Sequence, residues 1–96
     1  MEKVVGKDDV EFTLYDEVWK HIREYHPEIK EVETIELILK EPDVIIKSRW
    51  DDESYLYYKQ FGHLFGVVVV QMREKRIKTT LTTDKIKKGD IIWKKE

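Results

Sequence analysis

The sequence predicts an α+β domain in which two N-terminal helices pack on one face of a curved antiparallel sheet of about four strands. Three observations lead there. Apolar residues recur every three to four positions before Pro42 and every second position after it. The chain has 96 residues, enough for a single domain and one core. With four Gly and two Pro there is little material for linkers, and no internal repeat divides residues 1–96.

The elements follow in order. Val10 to Leu14 alternates apolar and polar residues, as a short strand does. Asp16 is placed to cap a helix carrying Val18, Trp19, Ile22 and Tyr25 at helical spacing. That helix should end near His26, because Pro27 disfavours helix in the residue before it. A second helix fits from Pro27 or Ile29 to Lys40, with Ile29, Val32, Ile35 (or Glu36) and Leu39 on its apolar face. Glu28, Glu31 and Glu33 crowd its start, where the helix dipole favours acids, and Pro42 ends it. Strands are then expected at Val44–Lys47, Tyr55–Phe61, Leu64–Met72 and Arg76–Thr83. Asp51, Asp52, Glu53 and Ser54, the pair Gly62–His63, and Arg73–Lys75 supply the turns between them. Lys87–Asp90 is the last turn, and Ile91–Trp93 a final short strand or packed tail. The valine-dense 64–72 segment reads as the central strand. In the 76–83 strand, Ile77, Thr79, Leu81 and Thr83 should share one face, and Arg76, Lys78, Thr80 and Thr82 the other.

Composition narrows the function classes. The start lacks the apolar stretch and small-residue cleavage site of a secretory signal, and the apolar run that holds Phe65 to Val70 is far short of a membrane span. The expected location is therefore cytoplasmic, with no membrane contact. Absence of cysteine removes disulfides and thiolate zinc sites. Abundant Lys, Glu, Ile and Val, with no Cys, Asn or Ala, fit a thermophile's protein. Charge is divided unevenly. Residues 1–46 carry 13 acids and 6 bases, whereas residues 47–96 carry 7 acids and 12 bases. The basic half allows a local phosphate-facing patch, or simply a solvated surface.

Three groups of residues have chemistry to offer. His21 and His26 suit general acid–base work, because imidazole as a group can both take and give a proton near neutral pH. Five positions apart, they stand about 140° from each other around a helix, not in the i, i+4 arrangement that grips zinc, so no metal and no cofactor is expected. The plainer alternatives are a capping or part-buried His26 and an ordinary surface His21. Tyr55, Tyr57 and Lys59 point one way along their strand, and Arg76 and Lys78 one way along another. If those faces coincide, rings beside cations would suit single-stranded RNA; otherwise they form a common exposed antiparallel surface. Arg49, after the first strand of the second half, has the geometry to hold a phosphate, although the acids at 51–53 are natural partners for it.

The stretches WKHIREYHPEI, EPDVIIKSRWDDESYLYYK, LFGVVVVQ and IKTTLTTDKIKKGDIIW, in this order, resemble small phage- and bacteria-encoded members of the barnase–EndoU–colicin–RelE (BECR) nuclease superfamily. Members often show a W-x-H-I-x-x-x-H-P-E helix, a P-D-x-I entry to the sheet, a tyrosine-rich strand and a T-A-Y-x-T strand followed by K-K-G. Here these correspond to Trp19–Glu28, Pro42–Ile45, Tyr55–Lys59, and Thr79–Thr83 with Lys87–Gly89, so the resemblance spans Phe12 to Trp93. Thr80 and Leu81 stand where the motif has alanine and tyrosine, and Tyr25 where a basic residue often precedes the second histidine.

The resemblance implies a RelE-like fold and metal-independent endoribonuclease chemistry, in which the ribose 2′-hydroxyl attacks the adjacent phosphate. It implies His21, His26, Arg49, Tyr57, Thr79 and Thr83 as catalytic residues, with Tyr55, Lys59, Lys78 and Arg76 as substrate-binding residues. RNA is the implied substrate, and an antitoxin or immunity protein the implied partner of a toxin-like member. A catalytically inactive RNA-binding or protein-binding module on the same fold is the alternative. A histidine within about 10 Å of Arg49 and of the 79–83 strand, in a concave site, would favour the nuclease, and histidines pointing away or buried in the core would favour a non-catalytic module.

Overall fold

The computed structural model describes residues 1–51 and 53–96; the Asp52 position of the expected polar turn lies outside them. The elements are β1 (Glu2–Val5), β2 (Glu11–Leu14), α1 (Asp16–Tyr25), α2 (Val32–Lys40), β3 (Val44–Lys47), β4 (Ser54–Phe61), β5 (Leu64–Gln71), β6 (Arg76–Thr83) and β7 (Asp90–Lys94). They form one seven-stranded mixed sheet in the order β1-β2-β6-β5-β4-β3-β7.

This corrects the expected architecture. The sheet has seven strands rather than about four, and it is not purely antiparallel, because β2 runs parallel to β6 where Thr13 meets Arg76. The helices do not lead the chain, since β1 and β2 precede them. Nor do they pack as a single pair on a four-stranded sheet: α1 lies against β6, whereas α2 reaches β1, β4 and β5. The strand with no counterpart in the expected order is β1. Its Glu-Lys-Val-Val sequence does not alternate, and it is held by pairing with β2 from Glu2–Leu14 to Val5–Glu11. The segment expected as a final short strand or packed tail is β7, which adds to the far side of β3. Between β1 and β2, Asp8 and Asp9 adopt left-handed backbone, which Asp tolerates better than most residues.

Two apolar clusters sandwich the sheet. On the helix side, Phe12, Ile22, Ile35, Ile38, Leu39, Tyr57, Val68, Val70 and Ile77 are buried. On the opposite side lie Val44, Ile46, Leu56, Tyr58 and Val67. The alternation of β4 and β5 divides these residues. The second side is covered as well, because the 84–89 connection runs over it from β6 to β7. The Lys87 N–H donates to the Tyr58 hydroxyl at 3.0 Å. A Cβ on Gly89 would press on Ile46 and lie 2.7 Å from the Lys47 carbonyl oxygen, so only glycine lets the strap reach β3 this closely.

A β-bulge decides the faces of β6. Val70 pairs with Ile77 and Val69 with Thr79, leaving Lys78 unopposed. Ile77 therefore joins the helix-side core, whereas Thr79, Leu81 and Thr83 fall on the strap side with Val69, Val67 and Phe65. The two expected four-residue faces of this strand do not exist. One extra residue reverses the side of everything beyond it.

Candidate functional site

His21 is near the end of α1, and His26 follows it with φ −132° and ψ 64°, outside the helical region. The 140° separation expected on a continuing helix therefore does not apply. The turn at His26 brings the two imidazole rings to 6.3 Å between centroids, with the Tyr25 ring 4.7 Å from His21. The N-cap is Tyr15 rather than Asp16, which is the first helical residue and accepts from the Met1 ammonium at 2.6 Å.

The segment that leads from His26 into α2 is not helix, contrary to the expected start at Pro27 or Ile29. Its carbonyls go elsewhere. Arg23 donates to the Ile29 oxygen at 2.8 Å and to the Pro27 oxygen at 3.4 Å, and its guanidinium lies over Trp19. Ile29 is buried beneath. This pinned turn presents Glu28 to the sheet, where its Oε2 accepts from the Thr82 hydroxyl at 2.9 Å and lies 4.0 Å from His26 Nδ1. Burial raises the Glu28 carboxyl, but its backbone N–H, the Thr82 hydroxyl and His26 outweigh that and hold it below the usual carboxylate range. His21, His26, Glu28 and Thr82 thus form one continuous group at the end of β6. It borders a cavity of about 300 Å³ lined by Ile29, Thr34, Phe61, Leu64 and Gly66.

Comparison with known proteins returned no matching family model, no matching curated protein and no matching solved structure.

The other expected site residues lie apart from this group. Arg49 sits beyond β3, its Nε 3.5 Å from Asp90. Thr82 is level with Gly66 and Lys59, but Lys47 is level with Tyr55, four residues further along and three strands across. That separation is on the order of 20 Å, so Arg49 is outside the span of one phosphodiester. Thr79 and Thr83 are on β6 but face the strap side, away from Thr82. The hydroxyl oxygens of Thr79 and Thr80 are buried without a partner among the described residues.

The expected stacking face is also divided. Tyr57 belongs to the helix-side core, Tyr55 packs against it, and Lys59 follows on the same side, its Nζ 3.1 Å from the Glu41 carbonyl oxygen. Lys78 is on the strap side, 2.9 Å from Ser54 Oγ and 3.3 Å from Asp51. Arg76 pairs with Glu74 at 2.7 Å. Tyrosines and these two cations therefore sit on opposite faces. Among the described residues, no group of three His, Cys, Asp or Glu is arranged to hold a metal ion, and no helix is long and apolar enough to cross a membrane.

Tyr57 has a structural role that pH exposes. It is 5% exposed and stacks edge-on to Phe12 at 5.9 Å. Burial, with the charges of Asp8 and Tyr55 adding to it, pushes its hydroxyl up to about 12. The folded value is above the unfolded one near 10, so the stabilisation is complete below pH 10 and is lost between pH 10 and 12. The loss amounts to roughly 2–3 kcal/mol. Denaturant titrations across that range should show a shallower alkaline decline for Tyr57→Phe than for wild type. Parallel curves would contradict the assigned cause.

Glu28, Thr82 and Arg23 were not singled out from the sequence. The only signal for Glu28 was its place in the H-P-E triplet, and Thr82 was counted on a strand face that the bulge then redrew.

Proposed function

We propose that the chain is a metal-independent endoribonuclease whose acid–base pair is His21 and His26. The observation that supports it is the approach of two imidazoles to 6.3 Å, with the carboxylate of Glu28, itself on the wall of a cavity, 4.0 Å from one of them. Two such groups can serve opposite ends of one transphosphorylation. One ring takes the proton of the ribose 2′-hydroxyl as that oxygen attacks phosphorus. The other gives a proton to the departing 5′-oxygen as the P–O5′ bond breaks. The products are a 2′,3′-cyclic phosphate and a 5′-hydroxyl. Glu28, held by Thr82, places a carboxylate 4.0 Å from His26 Nδ1, beyond hydrogen-bond distance but close enough to attract an imidazolium. Arg23 brings positive charge to the turn that carries both. The sequence resemblance to BECR nucleases points the same way for the two histidines.

Total RNA incubated with the purified protein in excess EDTA should yield fragments ending in 2′,3′-cyclic phosphate. RNA that stays intact between pH 5 and 9 defeats the proposal.

A second reading, an RNA- or protein-binding module without turnover, is favoured by the dispersal of Arg49, Tyr57, Thr79 and Thr83. Binding of RNA without any cut ends would select it.

A further inference from the structure

The cavity beside Glu28 has features that the acid–base chemistry does not use. Its volume is about 300 Å³, at the lower end of small-ligand pockets. Its floor is Gly66, where a Cβ would stand 2.9 Å from the Phe61 ring and 2.8 Å from Ile38, so the missing side chain is what lets the Phe61 ring lie against β5. Phe61 and Leu64 flank the tight Gly62–His63 turn, in which Gly62 has φ +64°. Both remain 39–41% exposed, so the ring and the aliphatic side chain offer free surface beside the cavity. The polar groups on the rim are the Thr34 and Thr82 side chains and the Glu28 carboxylate. One ring with free surface, an aliphatic wall and a few polar groups at one edge match a single planar heterocycle with hydrogen-bonding edges. The same Glu28 accepts from Thr82 and lies 4.0 Å from His26, whose ring is 6.3 Å from that of His21.

We infer that this pocket receives one unpaired base, stacked on Phe61, of a single-stranded RNA whose adjacent phosphate lies at His21 and His26. The inference rests on the nuclease reading for the identity of the phosphate site. A base inside a duplex cannot enter, since its faces are already stacked and its edge already paired. The substrate is consequently a single strand, a loop or a bulge, and the pocket sets which phosphate is presented.

The test uses a fluorescent single-stranded 2′-O-methyl RNA, which lacks the attacking hydroxyl and cannot be cut, and the same sequence closed into a hairpin duplex. Wild type should bind the single strand more tightly than the duplex. Phe61→Leu keeps an apolar cover over Gly66 without an aromatic face, and should weaken single-strand binding roughly 5- to 150-fold, the range for loss of one base–aromatic stack. Phe61→Trp should restore it. Unchanged affinity in Phe61→Leu, no binding at all, or equal binding of duplex and single strand overturns the inference. Cleavage of unmodified RNA separates the two readings. Pocket-dependent binding with no cleavage defeats the nuclease proposal and leaves the pocket standing. Cleavage that is identical in wild type and Phe61→Leu defeats the pocket and leaves the nuclease.

Discussion

Val68→Asp should abolish cooperative folding. Val68 is completely buried in β5, between Tyr57 of β4 and Thr80 of β6, and belongs to the helix-side core. No cation is among its buried neighbours, and Thr80 opposite it already has a hydroxyl without a partner among the described residues. A carboxylate there is either ionised without a counter-charge or protonated and poorly hydrogen-bonded. Such burial costs about 4 kcal/mol or more, set against a total stability of roughly 5–15 kcal/mol for a domain of this kind. Val68→Ala, which only removes methyl groups, should cost about 2–3 kcal/mol and leave a cooperative transition at lower temperature. Circular dichroism melts distinguish the cases. A wild-type melt for Val68→Asp would mean that β5 is not the centre of the sheet.

Removing either histidine should cost turnover without costing the fold. His21 is exposed and His26 only part-buried, so alanine at either position leaves the core intact. If both act in one transphosphorylation, each single variant should lose roughly 10²-fold or more in kcat, equivalent to about 2.7 kcal/mol of transition-state stabilisation. The double variant should lose little beyond the worse single one, because neither half of an acid–base pair works alone. Wild-type activity should be bell-shaped in pH, since one imidazole must be neutral while the other is protonated, and EDTA should not change it. Glu28→Gln should lower activity less than His26→Ala, because the carboxylate acts on His26 only through charge at 4.0 Å and transfers no proton itself. Rates measured on a labelled oligonucleotide, beside melts of each variant, check the set. Turnover that persists in the His21/His26 double alanine variant would remove both residues from the chemistry.

The parts of this protein that the sequence determined by itself are those encoded by neighbours in the chain. The helix that ends at Tyr25 before Pro27, the strand at Val44–Lys47 after Pro42, and the strand at Arg76–Thr83 follow from local periodicity and breakers. So does the burial of Ile22, Ile35, Leu39 and Val68, which needs only an apolar stripe and something to cover it. A period of two says that residues alternate but not which set faces the helices. That choice was made by pairing. The Lys78 bulge reversed the distal half of β6, and register with β5 turned Tyr55 and Tyr57 toward the helix-side core, away from Lys78. The edge strand β1 carries no alternation in its Glu-Lys-Val-Val sequence and exists because β2 offers an open edge, whereas the 91–93 segment left a short strand and a packed tail equally open until β3 offered its own edge to β7. The candidate site belongs to the same class. His21 and His26 were visible as titratable residues, but their approach depends on one non-helical residue. The link to Thr82 depends on a turn that folds back on a strand 54 residues later, a contact between distant segments that no local pattern carries.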